Sequence, residues 1–388
     1  MESTVCSLYV HIPFCIRKCS YCDFYSVPLA NSSARSDERI ALFIKALLRD
    51  VEGQLKQFAV ARVPTVYIGG GTPSLLGASG ISALLEGLAR LLGSPPIELT
   101  VEANPESLDE RFLEACKVGG VTRISIGIQS FSRSSRAAIG RTEPAQNLED
   151  KLTLLACVYP LSFSCDLMSG LPGQTEESLS CDINTLLSFQ PGHVSLYALT
   201  LPCNTAIKNL PDEDTAAELW VFGRDLLERL GYRQYEVSNF SLCAKESLHN
   251  LRYWRLENWL GAGPAASGTL IDDATGTGCR LTQAADVAAY LRYYTQSTAP
   301  MIIEEKLDSL TLIKETLLMG FRLSAGPDEA LFKKRFKRSI AAYIPQTLAC
   351  WQQKNLIDGL ALNRNGILFL NQFLIDCFQE LEYSPVRI

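Results

Sequence analysis

Three cysteines, Cys15, Cys19 and Cys22, stand at C-x3-C-x2-C within YVHIPFCIRKCSYCDFYS, residues 9–26. Thiolates at this spacing can converge on one soft metal centre. Structural zinc commonly takes four protein ligands from two pairs, and the nearest fourth candidate here, His11, lies inside a strand-like run. An iron–sulfur cluster also normally takes four cysteines, so three would leave one iron open to an outside ligand. Spacing favours iron–sulfur and leaves zinc open. A second candidate is GGGTP (69–73), whose glycines let backbone N–H and C=O groups approach a small ligand closely. It lacks the lysine of a phosphate loop and does not match GxGxxG, so a tight turn before Pro73 explains it equally well.

Such residues need a frame. Short β-branched or aromatic runs at 7–12, 65–70, 97–103, 122–129, 163–169 and 193–200 alternate with amphipathic stretches at 37–55, 79–92, 110–118, 145–158, 176–189 and 215–230. This pattern predicts βα units around a parallel sheet. Six units are too few for a closed eight-fold barrel, so the expected fold class is α/β, an open, partial (βα)6 TIM-like barrel. In parallel α/β folds chemistry gathers at the carboxyl ends of the strands. There the sequence places Cys15, GGGTP, Glu102, Gln129, Asp166 and the 197–200 segment. The alternation stops near Met301, which puts a domain boundary at 303/304. Residues 304–388 are expected to form a small helical, winged-helix-like domain with a hairpin in LIDGLALNRNGILFL. Its FKKRFKR stretch reads as a solvated helix face rather than a DNA-binding patch, because the rest of the chain is acidic.

At 388 residues with 47% hydrophobic and 20% charged residues, the chain reads as globular. A formal charge of −6 argues against nucleic acid as main partner. No run of 18 apolar residues suggests a membrane span, and MESTVCSLYV lacks the layout of a signal peptide, so a cytosolic protein is expected. Thirteen cysteines are scattered apart from the trio, and most are expected to be buried free thiols.

As an ordered set, the three thiols, GGGTP, EANP (102–105), SIGIQSF (125–131), the Gly140-Arg141 pair, DLMSGLPGQT (166–175) and HNLRYW (249–254) resemble the radical S-adenosylmethionine (SAM) superfamily. More narrowly they resemble the branch holding oxygen-independent coproporphyrinogen III oxidase and the HemW-type haem chaperones. The resemblance implies a [4Fe-4S] cluster on Cys15, Cys19 and Cys22, with SAM filling the position that a fourth thiol would take. It assigns Tyr9, Gly70, Gly71, Thr72, Glu102, Gln129, Arg141 and Asp166 to the SAM pocket. Reduction of the cluster would cleave SAM to methionine and a 5′-deoxyadenosyl radical, and an electron donor would be needed.

Within the branch, the oxidase typically carries a fourth cysteine where Phe24 stands, and a long N-terminal extension, whereas eight residues precede Tyr9 here. Both departures favour a chaperone that passes haem to apo-haemoproteins, respiratory ones included, with transient membrane association and without oxidase activity. Coproporphyrinogen III decarboxylation is the alternative, and a zinc-stabilised binding module a third. His249 could ligate haem iron while Tyr253 and Trp254 cover the porphyrin face, against the bland reading of a core histidine among aromatics. Chaperone relatives commonly carry GAH just afterwards; here GAGPAASG (261–268) puts Ala266 at that histidine. The resemblance also allows a homodimer.

Overall fold

The structure, a computed structural model, describes residues 4–29, 33–141, 145–201 and 207–383. Cys203 lies outside the described residues.

Six parallel strands run in order across one sheet: β1 (Ser7–Ile12), β2 (Thr65–Gly70), β3 (Glu98–Ala103), β4 (Arg123–Gln129), β5 (Phe163–Ser169) and β6 (His193–Ala198). The sheet holds twelve strands and stays open. Beyond β6 it is extended by the antiparallel β7 (Asn239–Ser241) and a short strand at Arg233–Gln234. Beyond β1 comes β8 (Trp259–Ala262), a seventh parallel strand that the βα alternation did not announce. Then β9 (Ser267–Asp272), β10 (Thr277–Thr282) and β11 (Ile303–Leu307) follow as antiparallel neighbours.

Apart from a register shift near the end of β4, the barrel strands alternate. Leu8, Val10, Val66, Ile68, Val101, Ile124, Ile126, Cys165, Leu167, Val194 and Leu196 point outward into one buried hydrophobic cluster. Helices α1 (Ser33–Gln57), α2 (Gly77–Leu92), α3 (Glu110–Val118), α4 (Ala145–Val158), α5 (Glu176–Leu187) and α6 (Glu213–Arg229) lie between the strands, and their apolar faces cover this layer. Apart from Met168 the other face is polar or glycine, with Tyr67, Thr100, Glu102, Arg123, Ser125, Ser164, Asp166, His193 and Ser195 lining the interior. A parallel strand buried on both faces usually reads as continuously apolar. This alternation therefore marks an interior kept for ligands.

The segment Pro73–Leu92 is long and apolar enough to cross a membrane, a feature that the search for unbroken apolar runs missed. Here its Ile81, Leu84, Leu85 and Leu88 are buried in the barrel's core cluster.

The C-terminal part has its own core around Phe321, Phe332, Tyr343, Trp351 and Phe373, which Leu256, Trp259 and Leu307 join from the barrel side. The expected boundary at 303/304 runs through β11, whose Ile303 to Lys306 are exposed while Leu307 is buried. The expected hairpin is shorter than the sequence suggested, pairing only Ile357–Asp358 with Ala361–Leu362. Residues Gly366–Phe369 form a 3-10 turn instead, because the Asn363 side chain accepts from the Asn365 and Gly366 N–H groups. FKKRFKR is not a uniformly solvated face. Arg335 is buried, pairs with Asp273 at 2.9 Å and donates to the Leu256 carbonyl, while Phe332 and Phe336 face the core. The scattered thiols also divide: Cys6, Cys116, Cys165 and Cys377 are buried, but Cys157, Cys181, Cys243 and Cys350 are exposed.

Candidate functional site

The cluster loop leaves the barrel after β1 and is pinned at its base by a short ribbon, Phe14–Cys15 beside Val27–Pro28. Within it Cys15, Cys19 and Cys22 are all half-buried. The Cys22 N–H donates to the Cys19 carbonyl at 3.2 Å, closing a turn. Burial pushes the Cys22 thiol up, the Phe24 N–H lowers it, and Cys19 and Cys15 raise it further, so the three sulfurs stand within electrostatic reach of one another. A cluster bound there would take all three as thiolates. The donor set thus fits a cluster.

Behind the loop is a cavity of 160 Å³. Its walls include the three cysteines together with Gly70, Gly71, Thr72, Glu102, Gln129, Arg141 and Asp166. These come from the ends of β1 to β5 and from the segment after β4, separated by up to 151 residues in sequence. The glycines are required by space. A Cβ on Gly71 would sit 2.5 Å from the Phe14 carbonyl oxygen, and one on Gly70, at φ +106°, would lie 2.3 Å from His11 Nδ1. Glu102 is held by the Tyr67 hydroxyl at 2.7 Å and the Gly70 N–H at 3.0 Å. A carboxylate has about four lone-pair positions, so two remain for a ligand's hydroxyl or ammonium donors. Burial pushes the Glu102 carboxyl up and that of Asp166 to about 7. Gln129 adopts a left-handed backbone, φ +70°, at a register shift where Gly127 and Gln129 face consecutive residues of β5. Arg141 donates to the Tyr21 hydroxyl at 3.2 Å. The pocket's polar set and glycine cradle fit SAM's amino-acid and ribose groups.

Tyr9 does not line this cavity. Its hydroxyl bonds His11 Nδ1 at 2.9 Å, and both face a second cavity of 540 Å³ with Tyr25, Tyr67, His249 and Tyr253. Asn104, the third residue of EANP, also lines the cluster cavity and donates to Thr72 at 3.0 Å. Its place at the end of β3 was the available signal. Glu98 was missed as well: a carboxylate opening a buried parallel strand, it accepts from the N–H groups of Leu248 at 3.0 Å and His249 at 2.8 Å. It thereby seats helix α7 (Leu248–Trp254).

That helix carries HNLRYW and closes the amino end of the barrel, opposite the cluster. His249 is fully buried. Thr65 donates to Ser7, so its oxygen accepts from His249 Nδ1 at 2.9 Å, and Nε2 accepts from the Tyr253 hydroxyl at 2.9 Å. Burial pushes this imidazole down to about 3, hence neutral. The nitrogen that would ligate iron is occupied by Tyr253 in this arrangement. Trp254 is elsewhere: its ring lies under the Arg322 guanidinium at 4.8 Å and does not line the cavity. Helical periodicity is the reason, since positions four apart share a face while a fifth is turned about 140° away. Ala266 is buried too, and from its segment Ala265 and Ser267 face the cavity.

The open parallel barrel with three thiols at its carboxyl rim is a radical SAM architecture, and residues 9–182 match the radical SAM superfamily. Over the longer span the chain is 35% identical to the heme chaperone HemW of Lactococcus lactis, covering 86% of each chain, and 32% identical to that of Escherichia coli, covering 95% and 97%. It is also 35% identical to the mitochondrial radical S-adenosyl methionine domain-containing protein 1 of Mus musculus, over 84% of this chain and 74% of that one. The chain belongs to the radical SAM superfamily and, within it, to the HemW family. Coproporphyrinogen III oxidase (HemN) from Escherichia coli shares the fold, with a TM-score of 0.80 over 97% of this chain and 90% of that chain at 20% identity.

Proposed function

We propose that this chain is a haem-binding chaperone that holds a [4Fe-4S] cluster on Cys15, Cys19 and Cys22, binds SAM beside it, and delivers haem to apo-haemoproteins. Its HemW relatives are named heme chaperones. The observation that carries the reading is the pair of adjoining cavities, one of thiols, glycines and carboxylates, the other walled by Tyr9, His11, Tyr25, Tyr67, His249 and Tyr253, which share Phe24 and Glu102. A 540 Å³ aromatic cavity suits a flat conjugated ligand and lies within the usual range for such sites, about 300–1,000 Å³.

In this reading Glu102 and Asp166 receive SAM's donor groups, Arg141 its carboxylate, and Gly70 to Thr72 give it backbone contact. Bound together, cluster and cofactor supply one-electron chemistry, drawing on an external electron donor. Tyr9 supports the pocket through His11. His249 and Tyr253 form the floor against the porphyrin, and iron ligation by His249 requires the Tyr253 hydroxyl to leave Nε2. Trp254 braces the helix against the C-terminal part instead of touching haem. Haem recipients, respiratory or other, are met from a cytosolic location with transient approach to membranes, and a homodimer is compatible with this scheme.

The test is a haem titration of anaerobically reconstituted protein followed by Soret absorbance, beside His249→Ala. Saturation at one haem per chain, weakened about tenfold in the variant, supports the reading. Absence of saturable binding, or release of protoporphyrinogen from coproporphyrinogen III under anaerobic reduction, overturns it.

A further inference from the structure

The two cavities share Glu102, and Tyr67 holds that carboxylate. Tyr67 stands at the middle of β2, half-buried, with Tyr9 paired beside it on β1 and Thr100 on β3. Its ring packs against the His249 imidazole, with centroids 5.3 Å apart at an interplanar angle of 32°, and so forms part of the aromatic cavity's wall. Its hydroxyl donates to Glu102 Oε1 at 2.7 Å, while Oε2 takes the Gly70 N–H. Glu102 is in turn a wall of the cluster cavity. Tyr67 therefore ties the shared Glu102 carboxylate to the His249 floor of the aromatic cavity.

We infer that Tyr67 couples the two compartments, so that occupancy of the SAM site tightens porphyrin binding in the aromatic cavity and porphyrin tightens SAM in equal measure. The inference rests on the assignment of haem and SAM to these cavities. Burial alone pushes the Glu102 carboxyl toward its neutral form, in which it can no longer offer a full negative charge to Tyr67. Donor groups of a ligand on the two remaining lone-pair positions favour the carboxylate and make the Tyr67 hydrogen bond charge-assisted, hence shorter and stronger. A ring held firmly against His249 presents a preorganised wall, so a planar ligand loses less freedom on binding. Binding linkage makes the effect reciprocal.

The experiment is a binding cycle on the anaerobically reconstituted full chain. Zinc protoporphyrin IX, which is fluorescent, is titrated with and without saturating SAM, and SAM is titrated by equilibrium dialysis with and without zinc protoporphyrin IX. Mutual tightening of about fivefold or more is expected in the wild type. In Tyr67→Phe, which keeps the ring and loses the hydroxyl, both ligands still bind and the factor falls to about one. Tyr232→Phe, which loses a buried hydroxyl bonded to the Pro191 carbonyl and lines neither cavity, retains the coupling. Both ligands binding to wild type without mutual tightening overturns the coupling, and undiminished coupling in Tyr67→Phe overturns the role of Tyr67, while the cavity assignment stands in either case. Failure of zinc protoporphyrin IX to bind wild type overturns the cavity assignment and the coupling with it. If Tyr67→Phe does not retain its iron and sulfide, Glu102→Gln, which leaves Tyr67 an acceptor without charge, takes its place, and undiminished coupling there overturns the role of the Tyr67–Glu102 bond.

Discussion

Asp50 offers a severe test of how the aromatic cavity is built. It lies on α1, fully buried, and its carboxylate accepts from five groups: Gln54 Nε2 at 2.8 Å, Gln283 Nε2 at 3.0 Å, the Tyr294 hydroxyl at 2.8 Å, the Tyr290 hydroxyl at 2.9 Å and the Gly263 N–H at 3.0 Å. These partners lie on α1, on Val287–Gln296, beside β10, and on the turn after β8 that brings Ala265 and Ser267 to the cavity. Asp50→Ala removes every acceptor at once. Gln54 keeps the Gly261 carbonyl and Gln283 keeps the Tyr294 oxygen, but the Tyr290 hydroxyl, the Tyr294 hydroxyl proton and the Gly263 N–H lose theirs. Three buried donors at about 1–3 kcal/mol each, reduced by relaxation and by the relieved burial of a charge, give a loss of about 4 kcal/mol. Asp50→Asn keeps one oxygen and should cost about 2 kcal/mol. Urea unfolding of the apo protein followed by circular dichroism measures both, and zinc protoporphyrin affinity should fall in the same order. A loss below about 1 kcal/mol for Asp50→Ala, or a larger loss for Asp50→Asn, would refute the reasoning.

Burial raises the Asp166 carboxyl from 3.8 to about 7, with Ser195 acting against the rise. The native state thus holds this proton more tightly than the unfolded chain, so the associated stability is present below 3.8 and is lost as pH climbs through about 7. Because Asp166 lines a cavity that water reaches, Asp166→Asn is expected to stabilise the apo protein by about 2 kcal/mol at about pH 8 and by almost nothing at about pH 4, read from thermal unfolding across pH. Gly71→Ala drives a Cβ to 2.5 Å from the Phe14 and 2.8 Å from the Ile12 carbonyl oxygens. It should cost about 2 kcal/mol and lower the iron bound after reconstitution. Arg335→Ala should lose about 2 kcal/mol, because the Leu256 carbonyl loses its donor and Asp273 keeps only Lys334, whereas Lys333→Ala on the same helix should change stability by less than about 0.5 kcal/mol in the same denaturation assay.

Much of the site could be read locally. The cysteine spacing, the glycines after the second strand, and the carboxylates and amide at strand ends all lie at positions where strand periodicity and parallel topology force side chains to the same rim. Ten of the residues named for cluster and SAM duly line one cavity, because successive parallel strands end at one edge whatever the distance between them in sequence. Tyr9 departs from the group because it sits below that edge, beside Tyr67. Signals of period two were present but unread: polar residues alternate through Thr100, Glu102, Arg123, Ser125, Ser164 and Asp166.

The HNLRYW helix shows the limit. Its six residues are contiguous, yet a helix sends His249 and Tyr253 to one face and Trp254 to another, and Glu98, 151 residues earlier, decides where the helix sits. The β8 strand is as silent locally, since WLGA gains its place only by pairing with β1. The sequence by itself determined the thiol motif, the strand and helix periodicities and the glycine positions, because each depends on neighbours within a few residues along the chain. Tertiary structure alone decided that a second, aromatic cavity adjoins the cluster, that His249 has both nitrogens engaged, and that Tyr67 ties the shared Glu102 to His249. Those outcomes depend on contacts between strands and helices far apart in sequence, whose geometry is set by sheet register and packing rather than by local pattern.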